Sequence, residues 1–170
     1  MNERRPRGAS SNTDIAGRRT HAATINWRGS GAVGDLFAAH TELAVSLSRM
    51  NGASFWAFSL WRIPEGELWP DNDMSPKEFL QSSGNAQLMT LELREIDSEG
   101  APRQFVVGRP HTAQAGPAAI PVTWRQTRCV FVHAGEDFTA EQAAPVFISY
   151  YETGRVPAGY SLRELDLTVS

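Results

Sequence analysis

A single cysteine, Cys129, precedes a histidine, His133, by four residues. These residue types can form a nucleophilic pair, because a nearby imidazole accepts the proton of the thiol. The surrounding sequence is typical of an extended strand, in which residues four apart face the same side but lie about 13 Å from each other. Proton transfer needs a hydrogen bond, so this distance excludes a direct transfer. We therefore predict that Cys129 is a small core residue and not a nucleophile.

Three glycines have the spacing of a turn that binds a dinucleotide, Gly29-x-Gly31-x-x-Gly34. Such a fold also needs alternating strands and helices, and an acidic residue about 20 positions further on. The nearest suitable acid after the next predicted strand is Glu65, which is too distant. The strand before the glycines is also polar for a buried parallel strand. We expect these glycines to form a flexible corner and not a nucleotide site.

The patterns for metal binding are weak. No two histidines have the spacing of a zinc site. The four histidines of the chain are His21, His40, His111 and His133. Residues 71–73 begin like a calcium loop, but Pro76 stands where that loop needs glycine, and Ser82 where it needs glutamate. The chain also lacks a Gly-x-Ser-x-Gly motif and a phosphate-binding glycine–lysine loop. We expect no bound metal and no cofactor.

Several carboxylates cluster around a predicted turn, namely Glu92, Glu95, Asp97 and Glu99. Paired carboxylates can perform acid–base catalysis when their environments separate their pKa values. Here they fall on the outer face of a predicted strand and on the turn after it, where carboxylates usually serve solubility. We therefore expect that the protein is not an enzyme.

Composition predicts one soluble domain. The chain has 170 residues, of which 41% are hydrophobic and 21% are charged, which is enough to bury a core. A net charge of -3 provides no broad attraction to nucleic acid or to anionic lipid. The single cysteine is typical of a reducing compartment, and no apolar run approaches the roughly 18 residues that span a membrane. We expect a cytoplasmic protein that binds neither nucleic acid nor membrane.

The first twenty residues differ in composition from the rest. They contain five arginines and almost no large apolar side chain. Such a segment cannot bury enough surface to offset its ordering entropy. We predict a flexible basic arm over residues 1–20, followed by a single domain over residues 21–170. An acidic partner could bind this arm, but a solvated tail is the simpler explanation and the one we favour.

Six segments have the composition or alternation of β-strands. They are residues 22–27, 53–63, 87–96, 103–108, 122–133 and 161–169. The third and fourth are joined by Asp97-Ser98-Glu99-Gly100, which predicts a hairpin. The fifth is long enough to contain a bulge, and the last alternates imperfectly, as edge strands do. Together with the helices below, these segments predict an α+β fold, with an antiparallel sheet packed against two main helices.

Two helices are predicted in the first half of the chain. One begins at Asp35 as N-cap and ends near Met50, before Asn51-Gly52. A shorter helix is predicted over residues 75–81, because Ser75 and Pro76 match the preferences of the N-cap and the first helical position.

The last helix has the clearest boundaries in the sequence. Thr139 and Gln142 have the spacing of a capping box, and Gly154 stands where a helix should end. Pro145 lies inside and removes one backbone donor, which predicts a kink near the second turn.

The chain is rich in tryptophan, with five residues in one small domain. Four of them fall in predicted strands or in the loop beside them, namely Trp56, Trp61, Trp69 and Trp124. Aromatic side chains bury large areas, so most of these residues are expected in the core. Aromatic residues and arginine are also the usual anchors of protein interfaces, so some could line a binding surface.

The C-terminal third of the chain resembles a known family. Residues 138–165, FTAEQAAPVFISYYETGRVPAGYSLREL, combine a helix rich in alanine and aromatic residues with Thr153-Gly154 and Val156-Pro157 before a closing strand. This order is similar to the C-terminal end of immunity proteins from bacterial polymorphic-toxin systems, which are small α+β proteins. The hairpin segments QLMTLELRE and RQFVVGRP fit the same general pattern.

The resemblance implies a non-catalytic protein that binds one toxin and blocks its active site. Such an inhibitor needs aromatic anchors and charges complementary to its partner. An acidic surface would suit a nuclease or deaminase toxin, because such toxins are often basic. The segment EGELWPDND places carboxylates around a tryptophan, and we predict that the partner contacts Glu65, Glu67, Trp69, Asp71 and Asp73.

Two other functions fit the same sequence. The chain could be a small-molecule-binding or enzymatic α+β domain, with a pocket between sheet and helix that uses His111 or His133. It could also be an adaptor or secretion chaperone whose basic arm and aromatic surface bind another protein.

Overall fold

The computed structural model describes residues 20–32, 36–64, 76–112 and 116–167. Within these ranges the chain forms a single α+β arrangement of an antiparallel sheet and two helices, which confirms the predicted fold class. The elements follow in the order β1 (His21–Ile25), β2 (Arg28–Ala32), α1 (Leu36–Ser48), β3 (Ala57–Arg62), β4 (Phe79–Asn85), β5 (Leu88–Ile96), β6 (Pro102–Gly108), β7 (Ile120–Trp124), β8 (Arg128–Val132), α2 (Ala140–Thr153) and β9 (Ser161–Glu164). Residues 1–19 of the predicted arm lie outside the described residues.

The main sheet contains seven of the described strands, in the order β2-β1-β3-β4-β5-β6-β9. Each neighbouring pair is antiparallel. Among the described strands, β7 and β8 pair with each other alone and form a separate two-stranded ribbon. The hairpin of β5 and β6 is the one predicted from the turn at residues 97–100, and β9 is the predicted edge strand.

Both helices pack on one face of the sheet. Leu43 and Leu47 of α1 and Phe147 of α2 are fully buried there, in one cluster with Leu60 of β3 and Leu80 of β4. Burial of each such side chain contributes about 2 kcal/mol, so this layer supplies the main core of the described residues. Helix α1 ends two residues before the predicted position, and its predicted N-cap, residue 35, lies outside the described residues.

Helix α2 begins and ends as predicted. The hydroxyl of Thr139 accepts a hydrogen bond from Gln142 N, and Gln142 Oε1 accepts one from Thr139 N, which completes the capping box. Gly154 adopts a left-handed conformation (φ 71°) and donates its N–H to Tyr150 O. Pro145 lies inside the helix. These local signals were sufficient to predict the helix because each one satisfies a backbone group of the helix itself.

The predicted short helix at residues 75–81 is wrong. Residues 79–85 form strand β4, in which Leu80 lies between Leu60 of β3 and Leu93 of β5 in register. Pro76 favours the start of a helix only through the local preference of its own backbone. Pairing of β4 with strands on both sides, and burial of Leu80, outweigh that preference.

The predicted single strand over residues 122–133 is also wrong. The chain reverses at residues 125–127, so that Trp124 pairs with Arg128. Arg125 and Gln126 adopt positive φ angles of 52° and 60°. The turn contains no glycine, asparagine or proline, which are the residues that mark a turn in a sequence. The sequence therefore contained no signal from which this turn could be predicted.

The glycine-rich segment is a hairpin and not a corner. Gly29 and Gly31 lie in strand β2, which pairs with β1, and Gly34 lies outside the described residues. The turn is made by Asn26 and Trp27, whose φ angles of 55° and 58° are those of a type I′ turn. This turn places Trp27 at one end of the sheet.

Candidate functional site

Two hairpin turns bring aromatic side chains and an arginine together at one end of the sheet. Trp27 meets Trp56 edge to face at 4.5 Å between ring centroids, and Trp56 stacks on Trp124 at 6.5 Å with an interplanar angle of 10°. The guanidinium of Arg125 lies 5.4 Å from the ring centroid of Trp56. We call Trp27, Trp56, Trp124 and Arg125 the hairpin-tip patch.

The first turn is fixed by the side chain of Asn26. Its Oδ1 accepts hydrogen bonds from the backbone N–H groups of Trp56 (2.8 Å) and Ala57 (3.2 Å), and its Nδ2 donates to Ser54 O (2.7 Å). A tryptophan at positive φ is a costly conformation, by roughly 1–2 kcal/mol. The hydrogen bonds of Asn26 hold the turn and so keep Trp27 in that conformation.

The second turn is attached to the segment that follows α1. Arg125 N donates to Gly52 O at 2.7 Å, and Gly52 itself has a positive φ of 74°. Both tips are therefore held by hydrogen bonds to neighbouring backbone, which makes the patch a rigid surface.

Exposure divides the patch into a buried base and an accessible top. Trp56 is only 5% exposed, whereas Trp27 is 56% exposed. Arg125 is exposed, and Trp124 is half-buried. An exposed tryptophan packed against a buried one is a preorganised anchor, because few side-chain rotamers remain to be fixed when a partner binds.

A row of polar side chains runs from this patch across the sheet face opposite the helices, which we call the far face. Ser59, Gln81 and Glu92 are register neighbours on β3, β4 and β5, and they alternate with the leucines of the helix-covered core. Glu92 Oε2 accepts hydrogen bonds from Gln81 Nε2 (2.9 Å) and Gln104 Nε2 (2.5 Å). Gln81 Oε1 in turn accepts one from Trp27 Nε1 at 3.3 Å.

This row changes the interpretation of Glu92. The sequence predicted a solubilising carboxylate, but the side chain is half-buried and held by two glutamines. Buried hydroxyls lie on the same strands. Ser59 and Thr90 are 5% and 1% exposed, and neither hydroxyl has a hydrogen-bond partner among the described residues. The far face therefore contains polar groups whose hydrogen-bonding capacity is not used within these residues.

A buried ion pair closes the other edge of the sheet. Glu136 is completely buried, and its carboxylate accepts two hydrogen bonds from Arg163 of β9, at 2.6 and 2.9 Å. Glu136 Oε2 also accepts the backbone N–H of His133 at 2.9 Å. Burial raises the pKa of Glu136, but the hydrogen bonds from Arg163 and His133 outweigh it and hold that pKa below its usual value.

The predicted cysteine–histidine interpretation needs one correction. Cys129 is exposed and is not a core residue, because it lies on the two-stranded ribbon, where few residues cover it. His133 is half-buried, its Nδ1 has no hydrogen-bond partner among the described residues, and His111 is exposed with a positive φ of 61°.

The predicted contact with a partner stays a prediction. Glu65, Glu67, Trp69, Asp71 and Asp73 all lie outside the described residues. Of the other tryptophans expected in the core, Trp56 and Trp61 are buried, and Trp124 is half-buried.

Comparison of the chain with protein-family models, curated proteins and solved structures found no match. Over the described ranges, no group of three histidine, cysteine or acidic side chains is arranged to hold a metal ion. No helix in those ranges is long and apolar enough to cross a membrane.

Sequence reasoning missed both the hairpin-tip patch and the polar row. Trp27 and Arg125 lie at turns that contain no glycine, so neither turn was predicted and neither residue was placed at a tip. One signal was present: asparagine is among the few residues that tolerate positive φ, so Asn26 before Trp27 favours a turn. Nothing local in the sequence indicates that both tips pack against Trp56.

Proposed function

We propose that this chain is a non-catalytic protein-binding module, an immunity protein that neutralises a cognate bacterial toxin in the cytoplasm by covering the active site of the toxin. The hairpin-tip patch is the observation that carries the proposal. Interfaces of this kind derive most of their affinity from tryptophan, tyrosine and arginine anchors that are surrounded by polar groups. Trp27 and Arg125 are such anchors, and the polar row lies beside them.

The chemistry of the patch favours recognition over turnover. An indole and a guanidinium provide large contact area and charge, but neither transfers protons near neutral pH. The nearest carboxylate of the row, Glu92, is held by amides, which are also poor proton donors and acceptors. The resemblance of residues 138–165 to immunity proteins adds support of a separate kind, since it concerns α2 and β9 and not the patch.

A rescue experiment tests this proposal. The chain is expressed together with a candidate toxin taken from the genes that flank its own, and growth is measured for the wild type and for Trp27→Ala. We expect the wild type to restore growth and Trp27→Ala to weaken the rescue at equal protein level. The matched control is Leu162→Ala, which removes an exposed apolar side chain (43% exposed) on β9, at the opposite edge of the sheet.

The predicted acidic segment is tested in the same assay with Trp69→Ala. A loss of rescue with Trp69→Ala alone would move the contact surface to residues 65–73. A purified chain that carries a bound metabolite, turns over a substrate and captures no toxin would contradict the proposed function.

A further inference from the structure

We propose that Glu92 is the binding site for an arginine side chain of the partner, with Trp27 as the wall against which the guanidinium stacks. The inference rests on the proposed function and names the chemistry of its contact. It is carried by the hydrogen-bonded row Trp27–Gln81–Glu92–Gln104 on the far face.

The carboxylate of Glu92 is fixed and only half used. Both glutamines donate to the same oxygen, Oε2, at 2.9 Å from Gln81 and 2.5 Å from Gln104. The second oxygen, Oε1, accepts no hydrogen bond from the described residues. A carboxylate whose position is set by two neighbours needs little reorganisation to accept a donor from a partner.

No cation among the described residues neutralises the charge of Glu92 either. No lysine or arginine among the described residues lies within ion-pair distance of its carboxylate. Arg94 follows two positions later on the same face but forms no ion pair with it, and Arg163 on the neighbouring edge is occupied by Glu136. A partner that covered this face would bury the charge at considerable cost unless it also supplied a cation.

Arginine fits this place better than lysine. The exposed indole of Trp27 is joined to the carboxylate through the amide of Gln81, so an aromatic face and a carboxylate lie on either side of one side chain. A guanidinium has several donors in one plane and stacks on aromatic faces, whereas an ammonium is a strongly hydrated point charge.

The test uses N-acetyl-L-arginine amide as probe, followed by the NMR signal of the Trp27 indole N–H and of the glutamine side-chain amides. We expect saturable shifts at these groups with an affinity in the millimolar range, weakened by salt. N-acetyl-L-citrulline amide, which has the same shape without the charge, should bind at least tenfold more weakly. This comparison needs no variant and so does not depend on the folding of a mutant.

A pair of charge-matched variants completes the test. Glu92→Gln keeps an oxygen for the two glutamines but removes the charge, and it should weaken arginine binding about tenfold. Glu99→Gln, on the exposed turn between β5 and β6, should leave it unchanged. Equal binding of the citrulline compound, equal binding to the Glu92→Gln variant, or shifts confined to another surface would overturn the inference. If Trp27→Ala abolishes toxin rescue while Glu92→Gln retains both rescue and arginine binding, the proposed function stands and this contact is wrong.

Discussion

At the scale of single residues, the central feature is a side chain that replaces backbone pairing. Asn26 accepts two backbone N–H groups at the start of β3 and donates to Ser54 O, and these bonds keep Trp27 in its left-handed conformation. The exposed anchor of the patch therefore depends on a polar neighbour that does not itself need to touch a partner.

Substitution of Asn26 tests this dependence. Asn26→Ala should lower the free energy of unfolding by about 2 kcal/mol, because it leaves two N–H groups without an acceptor. Asn26→Asp keeps the acceptor oxygen and should recover most of the loss. Urea unfolding followed by tryptophan fluorescence measures both. Equal stability of Asn26→Ala and the wild type would show that the side chain does not hold the turn.

The buried histidine His21 predicts how the stability of the fold changes at acidic pH. Burial, with a smaller contribution from the nearby charge of Arg62, lowers its pKa from 6.5 to about 4. Between these two values the unfolded chain binds a proton that the folded chain does not bind. Stability contributed by neutral His21 is therefore complete above pH 6.5 and falls as the pH decreases towards 4.

The loss over this window amounts to about 3 kcal/mol. His21→Phe keeps an aromatic ring beside Tyr151, which lies 4.5 Å away, and should flatten the acid limb of the stability curve. Unfolding is measured at a series of pH values, with exposed His111→Gln as control. An unchanged slope for His21→Phe between pH 6.5 and 4 would contradict the assignment.

At the scale of elements, the β9 edge is attached by one buried ion pair. Arg163 of β9 binds the fully buried Glu136, which precedes α2, so the pair joins the last strand to the start of the last helix. A second pair, Arg103–Glu164, lies on the same edge but is exposed to solvent. The two pairs have similar distances and should differ in their contribution because only one is desolvated.

Removal of one partner from each pair tests this difference. Arg163→Met should reduce the stability of the fold by about 3 kcal/mol, because the buried carboxylate of Glu136 loses its cation. Arg103→Met should change the midpoint of thermal unfolding little. The double substitution Glu136→Gln with Arg163→Met should recover part of the loss. If Arg163→Met and Arg103→Met unfold at the same temperature, the buried pair does not stabilise the β9 edge more than the exposed pair.

The elements that the sequence predicted are those whose signals are local. Helix α2 follows from Thr139, Gln142 and Gly154, and the β5–β6 hairpin follows from its alternation and turn. Strand β4 was mistaken for a helix because Ser75 and Pro76 match a helix start, while its pairing with β3 and β5 is not visible in the sequence. The candidate site was missed for the same reason, since the packing of two turns, distant in sequence, against Trp56 depends on the whole fold.

At the scale of the whole molecule, the two faces of the sheet differ in what lies on them. The helices cover one face and supply the core, whereas the far face has the polar row and, at its end, the hairpin-tip patch. Trp27 is joined to Glu92 through Gln81, so the patch and the polar row form one hydrogen-bonded surface. We therefore expect binding with a rigid surface, in which substitutions at the patch change the dissociation rate more than the association rate.

The most direct measurement is the affinity of the purified chain for a candidate toxin domain, taken from the genes that flank its own, determined by titration calorimetry. We predict a stable complex, an increase of Kd of at least about tenfold for Trp27→Ala, and an unchanged Kd for Leu162→Ala. Either equal affinities of Trp27→Ala and the wild type, or turnover of a substrate by the isolated chain, would contradict a non-catalytic binding module anchored by Trp27.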